Sequence, residues 1–162
     1  MKTLLLLRHA KSSWDDANLL DHDRPLNKRG QRDAPRMGEL LRDEKLLPDL
    51  VLSSDALRTR QTVELVAKES GYQGEIRFIP DLYAAGPLAC LEALAGLGDA
   101  YPCVLLVAHN PGLEQLLALL TDRVESLPTA ALARVDLPIQ TWSELDDKTH
   151  GNLVNIWRPK EI

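Results

Sequence analysis

The chain of 162 residues carries 19 Lys and Arg against 24 Asp and Glu, a formal net charge of −5, with 44% hydrophobic and 27% charged residues. That length and mixture suit one domain that can bury a continuous core without staples. A mildly acidic balance with no polybasic run excludes a nucleic-acid footprint and an electrostatic membrane anchor.

Residues 3–9 form a near-continuous apolar run ending in Arg8 and His9, the pattern of a central strand buried on both faces. Residues 10–25 are polar and predict a loop. Asn27 is a good N-cap for a helix over 27–45, in which Pro35 predicts a kink or the start of a second helical segment. A strand at 49–53 follows Pro48, and a helix over 55–70 stops at Gly71. A strand at 75–79 and a helix at 87–97 come next. A second strongly apolar strand, 104–109, also ends in a histidine, His109, and Pro111-Gly112 opens a helix over 113–120. Strands at 132–137 and 153–157 complete the chain. This alternation predicts a single α/β domain over residues 1–162, a mostly parallel central sheet with helices on both faces. Ligands bind such sheets beyond the carboxyl ends of their strands, where His9 and His109 fall.

Cys90 and Cys103 form no CxxC pair and read as small, buried residues in a reducing compartment. The apolar run at 4–7 is too short for a signal peptide, and nothing approaches the ~20 residues of a membrane span. A cytoplasmic location is therefore expected.

Three segments carry chemistry. Arg8-His9 ends a buried strand, so the pair must face a polar cleft or incur a large desolvation cost. Ser53-Ser54-Asp55-Ala56-Leu57-Arg58-Thr59-Arg60-Gln61-Thr62 passes from strand to helix, where free backbone N–H groups favour anions and an arginine can add a bidentate grip. Local spacing does not choose between Arg58 and Arg60. His109-Asn110-Pro111-Gly112 repeats the strand-to-helix pattern with a second histidine. One histidine can serve as nucleophile while the other stabilises the transferring phosphoryl group. Asp21-His22-Asp23 is the nearest approach to a metal-ligand cluster, but no complementary ligand group is evident and a solvated loop is expected, with no metal and no cofactor.

These segments together resemble the histidine phosphatase superfamily, the phosphoglycerate mutase-like fold. Leu6-Leu7-Arg8-His9-Ala10 is similar to its opening Arg-His signature, the stretch around Arg58 to its second arginine motif, and Val107-Ala108-His109-Asn110-Pro111 to the segment bearing its second histidine. Asp23-Arg24-Pro25-Leu26 with Gly30 resembles a segment of the short bacterial phosphohistidine phosphatases of the SixA type. The matches run in family order over residues 3–112. The resemblance implies that His9 accepts the phosphoryl group, that Arg8, Arg58 and His109 surround it, that Arg24 adds a contact, and that no metal is needed. It also implies that the arginines lower the pKa of His9, and that the second ring nitrogen donates to a backbone carbonyl.

The sequence departs from the family's phosphomonoesterases and mutases in one respect. Their acidic residue after the third strand has no obvious counterpart in Pro80-Asp81-Leu82-Tyr83-Ala84-Ala85-Gly86, where Asp81 is the only substitute for a general acid. The chain is also short, with little sequence for a lid over the site. Both features favour a phosphohistidine protein, such as a phosphotransfer domain or phosphocarrier, as the partner. The alternatives are a small-molecule phosphomonoesterase on the same scaffold and a non-enzymatic phosphate-binding module.

Overall fold

The computed structural model describes Met1–Ile162. Six strands, β1 (Lys2–Arg8), β2 (Leu50–Ser53), β3 (Ile76–Phe78), β4 (Cys103–Ala108), β5 (Leu132–Leu137) and β6 (Asn152–Trp157), form one sheet in the order β3-β2-β4-β1-β5-β6. The first four are mutually parallel; β5 runs antiparallel to β1, and β6 antiparallel to β5. Four helices, α1 (Lys28–Asp43), α2 (Leu57–Ser70), α3 (Pro87–Ala95) and α4 (Gly112–Thr121), cover the faces. The sheet is thus mostly parallel and the fold α/β. No helix is long and apolar enough to cross a membrane.

The continuous apolar sequence of β1 follows from its position. Side chains alternate across a strand, so Leu4 and Leu6 pack with α3 and α4 residues such as Leu94 and Leu116. Leu5 and Leu7 pack with Met37 of α1 and Val63 of α2 on the other face. All four leucines are fully buried, each contributing roughly 1.5–3 kcal/mol of transfer free energy.

Helix α1 differs from the expectation at Pro35, because it runs without a break from Lys28 to Asp43. Proline removes the bond to the carbonyl four residues earlier; that residue, Gln31, is exposed, so water can satisfy the carbonyl. Asn27 caps the helix as its sequence predicts, its side chain accepting from Gly30 N at 2.9 Å. Both cysteines are free thiols, and burial pushes Cys90 up to about 11 and Cys103 up to about 12.

Candidate active site

Strand register brings the two histidines together. β1 and β4 are adjacent and parallel with Arg8 opposite Ala108, so the residues that follow, His9 and His109, leave the sheet side by side. Their ring centroids are 5.1 Å apart and the planes tilt by 54°. His9 N also donates to Ala108 O at 3.2 Å, which fixes the turn out of the strand.

Arg58 reaches the same point from the first turn of α2. That helix is tied to its surroundings by the polar residues of its own motif. Thr62 Oγ1 accepts from Ala10 N at 3.0 Å and donates to Arg58 O at 2.7 Å, while Gln61 Oε1 accepts from Leu26 N at 2.8 Å. Arg24 arrives on the loop after β1. An added Cβ on Gly30 would lie 2.2 Å from Lys11 O, so glycine lets α1 approach that loop closely enough for Asn27 N to bond Lys11 O at 3.0 Å. Gly112 does the same for α4, where a Cβ would meet Ala85 O at 2.1 Å.

Arg8, His9, Arg24, Arg58 and His109 thereby line one cleft of about 240 Å³, together with Lys11, Ser12, Trp14, Asp21, Asn110 and Thr129. Arg24 and Arg58 are buried, at 5% and 7% exposure. Arg8 Nη1 donates to Leu127 O at 3.2 Å, but its Nε is buried with no partner in the protein, as is Asn110 Oδ1. A buried unpaired donor is costly. A larger depression of about 680 Å³, walled by Gln115, Asp122, Lys148 and His150 among others, gathers no comparable set of charges.

Hydrogen bonding assigns the tautomers. His9 Nδ1 lies 2.8 Å from Ala10 O, which can only accept, so Nδ1 carries the proton and Nε2 the lone pair. Arg58 Nη2, which can only donate, lies 3.3 Å from His109 Nδ1, so His109 carries its proton on Nε2, 2.8 Å from Ser54 Oγ. Burial, more than the neighbouring cations, lowers His9 to about 3; it lowers His109 to about 4, followed by Arg58. The arginines do lower His9, as expected, but they add to a larger desolvation penalty. His22 shifts the other way, raised by its 2.9 Å bond to Asp55. At pH 5 the ring-proton resonances of His9 and His109 should therefore keep neutral positions while that of His22 has moved to its charged position. A titration of His9 near pH 6.5 would contradict this assignment.

Asp21-His22-Asp23 is a largely exposed turn, as expected, but Asp21 is also bonded to Arg24 at 3.1 Å and Arg58 at 3.0 Å, and to Tyr83 at 2.6 Å. No group of three or more His, Cys, Asp or Glu side chains is arranged as metal ligands. Asp81 is exposed on a 3-10 turn (Pro80–Leu82) and is not among the residues lining the cleft. Tyr83, just beyond that turn, stands edge-on to His109 with ring centroids 5.5 Å apart. Arg60 lies outside the cleft, bonded to Asp55 O and stacked 4.1 Å from the Phe78 centroid. Sequence reasoning also missed Ser54, Asn110 and Glu114. Glu114 Oε2 accepts from Leu127 N at 2.8 Å, holding the residue whose carbonyl accepts from Arg8 and Asn110.

Residues 4–83 match the model of the histidine phosphatase superfamily, branch 1. An uncharacterized chloroplastic protein of Arabidopsis thaliana is 36% identical over 152 residues, covering 88% of this chain and 70% of its own. A structure from Agrobacterium tumefaciens, described as a candidate phosphohistidine phosphatase SixA, is 30% identical with a TM-score of 0.84 and 98% of both chains covered. A mycobacterial glucosyl-3-phosphoglycerate phosphatase, 18% identical with a TM-score of 0.67 over 97% of this chain and 98% of its own, shares the fold. The chain belongs to the histidine phosphatase superfamily and is a hydrolase of the phosphatase class. Within that family it is of the short SixA type.

Proposed function

We propose that the protein removes phosphate from a phosphohistidine side chain of another protein, such as a phosphotransfer domain or phosphocarrier, through a covalent phosphohistidine on His9. The observation that carries the substrate class is the state of the only carboxylate lining the cleft. A hydrogen bond from Tyr83, followed by Arg58 and Arg24, holds Asp21 down at about 2. It is ionised at neutral pH and has no proton to give a departing alkoxide. A phosphohistidine leaving group needs none, since its ring, protonated at the far nitrogen by solvent, departs as neutral imidazole, whose conjugate acid has a pKa near ~6.5.

His9 Nε2 attacks phosphorus, and the bond from phosphorus to the substrate ring nitrogen breaks. Water then attacks the phosphoryl group on His9, yielding inorganic phosphate and restoring the free Nε2 lone pair. Arg8, Arg24 and Arg58 supply positive charge to the equatorial oxygens, where such catalysis is mainly electrostatic. The His9 Nδ1–H keeps donating to Ala10 O throughout, so the ring does not rotate out of line.

The small-molecule phosphomonoesterase reading draws on the fold shared with a sugar-phosphate phosphatase. Phosphate release from a phosphohistidine protein and from a panel of alkyl and aryl phosphates, each with and without EDTA, separates the two. The phosphohistidine protein should be the best substrate, EDTA should change no rate, and Asp81→Asn should cost no more than a few-fold. Faster turnover of alkyl phosphates, with a loss of about 10²–10⁴-fold in Asp81→Asn, would favour the ester reading.

A further inference from the structure

Asp21 places a second anion on the guanidinium groups that the proposed reaction assigns to phosphate. Its Oδ1 accepts from Arg24 Nη1 at 3.1 Å and its Oδ2 from Arg58 Nη2 at 3.0 Å, while its backbone carbonyl accepts from Arg58 Nη1 at 2.8 Å. Neither arginine needs the carboxylate to be held. Arg24 also bonds Ser13 O at 2.8 Å and Ser12 Oγ at 2.9 Å and stacks on Trp14, 3.0 Å from its centroid. Arg58 keeps its bonds to the Asp21 carbonyl and to His109 Nδ1. The carboxylate is thus surplus to positioning, yet it lies within the cleft.

Its exposure differs from theirs. The arginine side chains are buried, whereas the Asp21 side chain is 51% exposed on a 3-10 turn (Asp21–Asp23) within the polar loop that follows β1. A rotation of one short side chain toward solvent, breaking its 2.6 Å bond from the Tyr83 hydroxyl, would free Arg24 Nη1 and one N–H of Arg58 Nη2 together, and the reverse rotation would reclaim them. Two anions sharing one pair of guanidinium groups repel each other, and the repulsion is strongest for a doubly charged ligand.

We propose that Asp21 is an internal competitor at the phosphate site, whose carboxylate takes back Arg24 and Arg58 and so weakens the hold on the inorganic phosphate product. The inference rests on the reading that this cleft takes a phosphoryl group. It assigns Asp21 to product release, a role separate from the attack at His9.

The test is the affinity for inorganic phosphate, measured by calorimetry on wild type, Asp21→Asn and Asp21→Glu. Asn keeps the shape and one acceptor but removes the charge, so Asp21→Asn should bind phosphate ~10-fold more tightly, with the gain shrinking as salt rises. Asp21→Glu, which keeps the charge, should stay within about threefold of wild type. Stronger product inhibition of Asp21→Asn by added phosphate should accompany the tighter binding. Unchanged thermal midpoints would show that the exposed turn tolerates both changes. Phosphate binding by wild type with equal or weaker binding by Asp21→Asn would overturn this inference and leave the proposed reaction standing. Failure of wild type to bind phosphate at millimolar concentration would overturn both.

Discussion

His9→Ala should lower turnover by roughly 10⁴-fold or more, the scale seen when a covalent nucleophile is removed. The basis is the geometry at Nε2. With Nδ1–H fixed on Ala10 O at 2.8 Å, the lone pair is presented to the cleft in one orientation, and no neighbouring group can substitute for it. The lone pair on His109 Nδ1 accepts from Arg58 and its Nε2–H is directed at Ser54. Acid-labile label should accumulate on wild type after rapid quenching and be absent from His9→Ala. Near-normal turnover by the variant would refute the covalent route.

The same substitution has a second, independent readout in stability. A histidine held at about 3 in the folded protein and near 6.5 when unfolded takes up its proton first in the unfolded state. Stability therefore falls as pH drops below about 6.5 and levels off only near the folded value. His9→Ala removes that contribution, so its acid denaturation should begin at lower pH than that of wild type. A folded variant with improved acid tolerance and no turnover separates the loss of chemistry from the loss of structure.

Part of this site was legible in the sequence because its determinants are local. A strand buried on both faces has to be apolar throughout, so the polar ends Arg8-His9 and His109 stand out in β1 and β4. An arginine at the start of the second helix was legible locally as well, but the choice of Arg58 over Arg60 rests on the family resemblance. The sequence did not reveal Asp21, whose partners Arg58 and Tyr83 lie 37 and 62 residues away. A short acidic stretch in a polar loop reads as solvated until the fold brings two arginines over it. Asp81 shows the converse: it sits exposed on a turn of three residues in which Leu82 takes the buried position, while Tyr83, just beyond the turn, bonds Asp21. Sheet order had the same character. The late strands were recognisable as strands, but their antiparallel pairing beside β1 depends on a crossover that no local pattern encodes.

Arg58→Ala should reduce kcat/KM by roughly 30- to 1,000-fold, about 2–4 kcal/mol, because a charge-assisted fork strengthens as charge develops on the equatorial oxygens. Tungstate and inorganic phosphate should bind more weakly as well. Arg58→Lys keeps the charge but not the planar fork, so it should recover only part of the loss. Arg60, two residues along the same helix, provides the control. Its guanidinium lies 4.1 Å from the Phe78 ring centroid and bonds Asp55 O, so Arg60→Ala should cost about 1 kcal/mol of stability and leave kcat/KM within a few-fold. The contrast is sharp because the two arginines share a helix turn, and general damage to α2 would harm both variants alike. Equal kinetic losses from both changes would mean that α2 contributes through its packing, and the phosphate grip would then have to be reassigned to Arg8 and Arg24.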